Sequence, residues 1–324
     1  MALCLTVLNE ADNLAALFAS VEGQTRPPDE IVVVDGGSTD GTMEIVEAWR
    51  VRGLPIRLLV RPGASISAGR NAAIVETSCP VVAVTDAGVR LEPGWLAALT
   101  APFDEPDPPD VVAGFFRSDP RSAFEVALGA TTLPDVAEIR PERFYPSSRS
   151  VAFTRRAWEL AGGYPEWLDY CEDLLFDFAL EDAGCRQAWA PAALVHFRPR
   201  TTPRAFFLQN YRYARGDGKA DLWRKRHAIR YATYVGLPAG LLLARRWPWL
   251  LGPLGLAAAA YLRRPYVRLL PALAALSWRD RLTALAWVPA CRLIGDVAKM
   301  LGYPAGLWWR LLHRQAIPAG HPRR

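Results

Sequence analysis

Short apolar runs rich in β-branched residues recur through the N-terminal third of the chain, and helical patterns separate them. Residues 3–8, 31–34, 56–60 and 81–84 are nearly continuous in Val, Ile and Leu, the composition of strands covered on both faces. Residues 11–22, 42–52 and 67–76 lie between them and read as helices of modest amphipathicity. Alternation at this spacing predicts an α/β fold, a mostly parallel sheet flanked by helices with right-handed crossovers. In such sheets ligands bind beyond the carboxyl ends of the strands. The residues that follow the strands therefore matter most: Asn9-Glu10, Asp35-Gly36-Gly37, Arg61 and Asp86.

Further along, residues 111–116 read as another strand, and a helix ends at Gly162-Gly163. A helix is predicted over 172–181, and two short strands, 186–189 and 194–197, close the α/β part. Beyond it lie two cationic helices, 203–215 and 221–230, and two apolar blocks, 232–244 and 247–262. Arg245-Arg246 split the blocks, Arg263-Arg264 close them, and shorter apolar segments follow at 266–278 and 282–288. The expected division is a catalytic α/β domain over 1–205 and a basic, Trp-rich helical region over 206–324.

Charge follows the same division. Residues 201–324 carry 21 Lys and Arg against 4 Asp and Glu, whereas residues 1–200 carry 17 against 29. Such a split suggests that the second half meets an anionic surface. The two apolar blocks hold 13 and 16 residues, and at about 1.5 Å per residue neither spans a hydrocarbon core of about 30 Å. Short re-entrant or interfacial helices anchored by Arg and Trp are predicted, with a helical subdomain packed on the first half as the alternative. Nucleic acid is not an expected partner, because no nucleic-acid-binding motif accompanies the basic residues. Five cysteines without CxxC spacing argue against a disulfide framework or a zinc site and suit a reducing cytosol. The apolar stretch at 2–8 is too short for a signal peptide.

The segment EIVVVDGGSTDGT (30–42) carries the most chemistry. A buried strand delivers Asp35 to its tip, and Gly36 and Gly37 allow a sharp turn and close approach of the backbone to a ligand. The carboxylate can accept from a base N–H or a ribose hydroxyl; a plain strand-to-helix turn with a Ser38 or Thr39 cap accounts for the same residues. The segment lacks the Gly-Lys-Ser/Thr of a P-loop and the GxGxxG of dinucleotide folds. In VVAVTDAGV (81–89) a single acid, Asp86, ends the strand, and position 88 is glycine. In LDYCEDLLFDFALEDAG (168–184), Glu172 and Asp173 open a helix, where free N–H groups and the dipole stabilise carboxylates.

Taken in order, TVLNEADNLAALFASVEGQTRPPDEIVVVDGGSTDGT (6–42), SISAGRNAAI (65–74) and VTDAG (84–88) resemble the motifs of family 2 glycosyltransferases with the GT-A fold. The resemblance covers about residues 3–100 and implies a nucleotide-sugar donor. It implies that Asn9, Glu10, Asp35 and Gly37 line the nucleotide pocket and that Arg70 and Asp86 approach the donor. Asp86 matches the first acid of the family's DxD-type motif, and Gly88 stands where the second holds a cation. Mg²⁺ or Mn²⁺ is thus the implied cofactor, with Asp86 and His196 as its protein ligands, or arginines neutralise the diphosphate instead. Glu172-Asp173 preceded by GGYPE resembles the family's ED motif. That implies Asp173 as the base and Glu172 as its support, with Asp177 the second candidate. Gln209-x-x-Arg212-Tyr213 is similar to the QxxRW motif of membrane-bound members and implies a place for Gln209 and Arg212 at the acceptor and diphosphate.

The function these features imply is sugar transfer, of the hexosyltransferase type, from a nucleotide-diphosphate donor to a hydroxyl acceptor with inversion. A lipid or lipid-linked glycan acceptor at the cytoplasmic face of the cell membrane, as in envelope glycan assembly, suits the basic C-terminal half. Two other readings stay open: a membrane-bound nucleotide-sugar binding protein without catalysis, and a nucleotidyltransferase on a similar sheet.

Overall fold

The computed structural model describes residues 1–318. These group into two compact units, Met1–Arg117 with Val136–Phe197, and Ser118–Asp135 with Arg198–Pro318.

The strands are β1 (Ala2–Val7), β2 (Glu30–Asp35), β3 (Ile56–Val60), β4 (Val81–Val84), β5 (Val89–Leu91), β6 (Val111–Ser118), β7 (Val151–Thr154) and β8 (Gln187–Phe197). They form one sheet in the order β3-β2-β1-β4-β7-β6-β8-β5. The first four are parallel, in the register Val7↔Asp35 and Cys4↔Val84. β7 runs antiparallel to β4 and β6, and β5 antiparallel to β8. The sheet is therefore mixed, and its parallel half delivers the carboxyl ends of β1, β2 and β4 to one edge.

The helices are α1 (Ala11–Glu22), α2 (Thr42–Arg52), α3 (Ile66–Glu76), α4 (Trp95–Thr100), α5 (Ala123–Thr132), α6 (Arg155–Leu160), α7 (Glu172–Asp182), α8 (Pro203–Ala220), α9 (Arg224–Ala244), α10 (Leu251–Leu273) and α11 (Trp278–Leu312). Leu3, Leu5, Ile31 and Val33 bury one sheet face against Leu14, Leu17, Phe18 and Val21 of α1. Cys4, Val32 and Val34 bury the other against Ala73 and Ile74 of α3 and Phe176 and Leu180 of α7. Cover on both faces is why these strands read as unbroken apolar runs. The Ser65 side chain caps α3 by accepting from Ala68 N. A Cβ at Gly69 would sit 2.5 Å from Thr6 Cγ2, so this glycine lets α3 press onto β1. Residues 186–197, expected as two strands, form the single strand β8, with Pro191 and Ala192 exposed within it.

In the second unit α5 packs with α10 and α11, Ala127 and Ala130 meeting Leu269, Ala284 and Val288. α8 and α11 approach backbone to backbone. A Cβ at Gly302 would lie 2.1 Å from the Tyr211 carbonyl oxygen, and one at Gly306 2.1 Å from that of Arg215. The short apolar segment expected at 282–288 lies inside α11, a helix of 35 residues that carries Pro289 and Pro304. Among the described residues no helix is long and apolar enough to cross a membrane.

Candidate active site

The strand tips and α7 converge on Arg70. This residue is 2% exposed. Its Nη2 donates to Asp86 Oδ1 at 2.9 Å and its Nη1 to Glu172 Oε1 at 3.0 Å. Its guanidinium lies 5.2 Å from the Tyr164 ring centroid. One arginine thus ties the acid after β4 to the first residue of α7. The fork geometry of a guanidinium suits two separate carboxylates, which a lysine could not serve equally. Burial, then the Asp173 charge, pushes the Glu172 carboxyl up to about 7. Asp173, beside it, is only half-buried, and its Oδ1 accepts from Leu174 N at 2.9 Å. Of the two acids, Asp173 is the one open to an incoming hydroxyl. Asp177, one turn on, is 7% exposed, and its Oδ2 has no partner. Burial followed by the Asp173 charge raises its carboxyl well above the ordinary range.

At the tip of β2, Asp35 is fully buried. Its Oδ1 accepts from Gly37 N and Ser38 N, both at 2.8 Å, which folds the GGS turn around the carboxylate. Its Oδ2 meets no donor. A buried acceptor left over in this way is a place for a ligand N–H or O–H. Gly37 holds φ +98°, where a side chain is strained, and a Cβ there would press on Pro62 Cα at 3.3 Å. Asn9 also adopts positive φ, at 55°. Its Oδ1 accepts from Thr39 N at 2.9 Å, and its N donates to Ser38 Oγ at 2.9 Å, so it pins the same turn. Glu10 N donates to Thr42 Oγ1 at 2.8 Å, and Glu10 Oε2 accepts from Asn13 at 2.9 Å.

Asn71 uses all its polar capacity to hold the GGYPE turn. Its Oδ1 accepts from Tyr164 N at 2.9 Å and Trp158 Nε1 at 3.1 Å. Its Nδ2 donates to Tyr164 O and Glu166 Oε1, each at 2.9 Å. The GRN and GGYPE segments are thereby one structural device that sets Tyr164 and α7 against Arg70. Arg149 is a member of the site that the sequence did not single out. Its Nε lies 3.7 Å from Asp86 Oδ2, and its guanidinium stacks 4.7 Å from the Phe197 centroid. Its side chain is 25% exposed, against 3% for Arg70, so a ligand can reach it. It sits in a loop without periodicity, and only the fold brings it to Asp86.

His196 stands opposite Arg90 in the β5–β8 ladder, with Nε2 2.6 Å from Glu92 Oε1. Its hydrogen-bond partner is thus Glu92. Asp86 faces two guanidinium groups, and among the described residues no group of three or more His, Cys, Asp or Glu is arranged to hold an ion. One carboxylate is too few oxygens for a hard cation, so these residues do not fit an ion held by the protein alone. A Cβ at Gly88 would meet nothing within 4 Å, so the missing second acid leaves open space. Gln209 and Arg212 lie on α8 in the second unit, where Gln209 Nε2 donates to Tyr213 Oη at 3.1 Å and Arg212 is exposed.

The mixed sheet, with helices on both faces and Asp35 and Asp86 after its parallel strands, has a GT-A-like α/β architecture. Residues 2–149 match the model of glycosyl transferase family 2. It is 27% identical over 261 residues to the pre-mycofactocin glycosyltransferase of Mycobacterium tuberculosis, a match covering 78% of this chain and 52% of that one. To the succinoglycan biosynthesis protein ExoA of Rhizobium meliloti it is 24% identical, covering 95% of this chain and 84% of the relative. The chain therefore spans about half the length of the mycobacterial relative. Among solved structures, the fold is shared with the mannosyltransferase PcManGT of Pyrobaculum calidifontis, in complex with GDP-Man and Mn²⁺. The TM-score is 0.56 at 19% identity, over 97% of this chain and 87% of that one.

Proposed function

We propose that the protein transfers a sugar from a nucleoside-diphosphate donor to a hydroxyl acceptor with inversion. The observation that carries this reading is the Arg70 bridge, which sets the acid after β4 and the acid pair of α7 around one buried cation. In the proposed step Asp173 takes the acceptor's proton as the acceptor oxygen bonds to the anomeric carbon. The bond from that carbon to the diphosphate oxygen breaks, and its electron pair leaves with the nucleoside diphosphate. Glu172, tied to Arg70, keeps α7 in place. Asp35 Oδ2 accepts from the base or ribose, with Asn9, Glu10 and Gly37 shaping the pocket around it. Arg149 takes the diphosphate-neutralising role considered for Arg70, because Arg70 has both arms engaged. A divalent cation, Mg²⁺ or Mn²⁺, would come with the diphosphate, whose oxygens make up what Asp86 lacks.

The acceptor in this reading is a lipid or lipid-linked glycan, with Gln209 and Arg212 on the acceptor side. The place of work is the cytoplasmic face of a membrane. The relation to ExoA, whose name places it in succinoglycan biosynthesis, and the basic helical half support this. The direct test is Asp173→Asn. Turnover should fall by roughly 10²–10⁴-fold, the usual contribution of a general base, while donor affinity stays near that of the wild type. Full turnover in the variant would remove Asp173 from the mechanism.

A further inference from the structure

In the second unit α9, α10 and α11 enclose a polar network with more positive charge than its acids answer. Asp296 of α11 is 8% exposed. Its Oδ1 accepts from Arg230 Nε at 2.7 Å, and its Oδ2 accepts from Tyr234 Oη at 3.1 Å and from Tyr261 Oη. Three donors leave that carboxylate little capacity for anything else. Yet Arg292 and Lys299 stand four residues before it and three after it, on the same face of the helix. The Arg292 guanidinium stacks 4.9 Å from the Tyr261 centroid, and its buried Nε has no hydrogen-bond partner. Lys299 is half-buried, feels the charges of Asp296 and Asp217, and makes no direct ion pair among the described residues. Burial and then the Arg230 charge lower its ammonium, although Asp296 and Asp217 act in the opposite direction. Asp296 is taken up by its three donors and Asp217 Oδ2 lies 3.2 Å from His227 Nε2, so two half-buried cations with no direct ion pair of their own leave room for a further anion. Beside this face Leu293, Val297 and Leu301 form an i, i+4, i+8 stripe that is 52%, 36% and 56% exposed.

We infer that Arg292 and Lys299, with Tyr261 stacked on the Arg292 guanidinium, form a binding site for a phosphate monoester, and that the Leu293–Val297–Leu301 stripe carries the apolar chain of a lipid bearing it. Phosphate suits the donors, a planar guanidinium fork and a point ammonium supplying several charge-assisted bonds. The apolar stripe argues for a lipid headgroup over a soluble phosphate, since a free anion gains nothing from exposed leucines. As a binding site this stands whether or not the first unit transfers sugar. Only its use as the acceptor's seat rests on the function proposed above.

The test uses the full chain and reads binding alone. Sedimentation is measured with phosphatidylcholine vesicles with and without phosphatidic acid, and inorganic phosphate serves as stabilising ligand and competitor. The wild type should bind phosphatidic acid vesicles preferentially. Arg292→Gln combined with Lys299→Gln should weaken that preference by about tenfold, as expected on losing charged hydrogen bonds. Arg292→Lys with Lys299→Arg, which retains both charges, should keep most of the binding, and its thermal midpoint reports on folding. Inorganic phosphate should raise the wild-type midpoint but not that of the Gln pair. If phosphate stabilises while phosphatidic acid confers no preference, the oxyanion site holds and its natural ligand is soluble. An unchanged response of the Gln pair to both probes overturns the site. So does an equal loss by the Gln pair of binding to phosphatidylglycerol vesicles of matched charge, which reports only general attraction of cations to an anionic surface.

Discussion

With 3% of its side chain exposed and carboxylate oxygens at 2.9 and 3.0 Å, Arg70 cannot swing toward a ligand without stranding Asp86 and Glu172. Replacing it with Met leaves the buried Glu172 without its partner, and breaking a buried pair in this way costs about 3–5 kcal/mol. Denaturant unfolding of Arg70→Met should show that loss, and an unchanged midpoint contradicts the bridge. Glu172 makes a second prediction, in pH. Its folded carboxyl titrates near 7, above its ordinary 4.5, so between those values the folded protein holds a proton that the unfolded chain has released. The contribution is fully present below about 4.5 and is lost as pH rises through about 7. Thermal midpoints of the wild type should fall across that window relative to Glu172→Gln, and parallel profiles for the two proteins contradict the assignment. Gly88 supplies a third test. Because a side chain there meets open space, Gly88→Asp should shift stability by no more than about 0.5 kcal/mol, the usual range for such surface changes. It should also make nucleotide affinity more dependent on Mn²⁺, which calorimetric titration with and without the ion would reveal.

Among the elements, those read most directly from sequence are the ones whose environment is uniform. β4, covered on both faces, β3, partly covered at the sheet edge, and α1 and α2, each bounded by turn residues, have the limits expected from their patterns. β8 was less legible because Pro191 interrupts its pattern, and a proline signals a break even where it is tolerated at an exposed point of a strand. α11 hid for the same reason: Pro289 and Pro304 cut its apolar pattern into short pieces, although packing on α8 and α5 keeps one helix. That packing depends on glycine. Gly302→Ala forces a methyl to within 2.1 Å of the Tyr211 carbonyl oxygen, and overpacking of this kind costs about 1–3 kcal/mol. Unfolding monitored by circular dichroism should register the loss, while Gly255→Ala on α10, where nothing lies within 4 Å, should not.

At the scale of the whole molecule, the acidic and basic halves of the sequence correspond broadly to the sheet unit and the helical unit, with α5 of the acidic half joining the helices. The candidate site was legible where acids follow strands or open a helix, because those positions are local. Arg149 and the partners of Asn71 were not, because their contacts span from 63 residues (Arg149 to Asp86) to 95 (Asn71 to Glu166). The basic half makes a prediction of its own. Exposed Trp247, Trp249, Leu251 and Leu256 stand near Arg245 and Arg246, which suits binding at an anionic bilayer surface. Binding to such vesicles should weaken steeply toward about 1 M salt, where the screening length falls to about 3 Å. Indifference to salt and lipid charge contradicts that reading.

The central claim, a nucleoside-diphosphate donor seated at Asp35 and the Asp86–Arg70 edge, is tested most directly by thermal shift with UDP, GDP, TDP and CDP, each with and without Mn²⁺. A ligand of the native state at a hundredfold excess over its Kd adds about 2.7 kcal/mol of stability. The account predicts that one of the four raises the midpoint and that Asp35→Ala abolishes the rise. No shift with any nucleotide, with or without the ion, would contradict it.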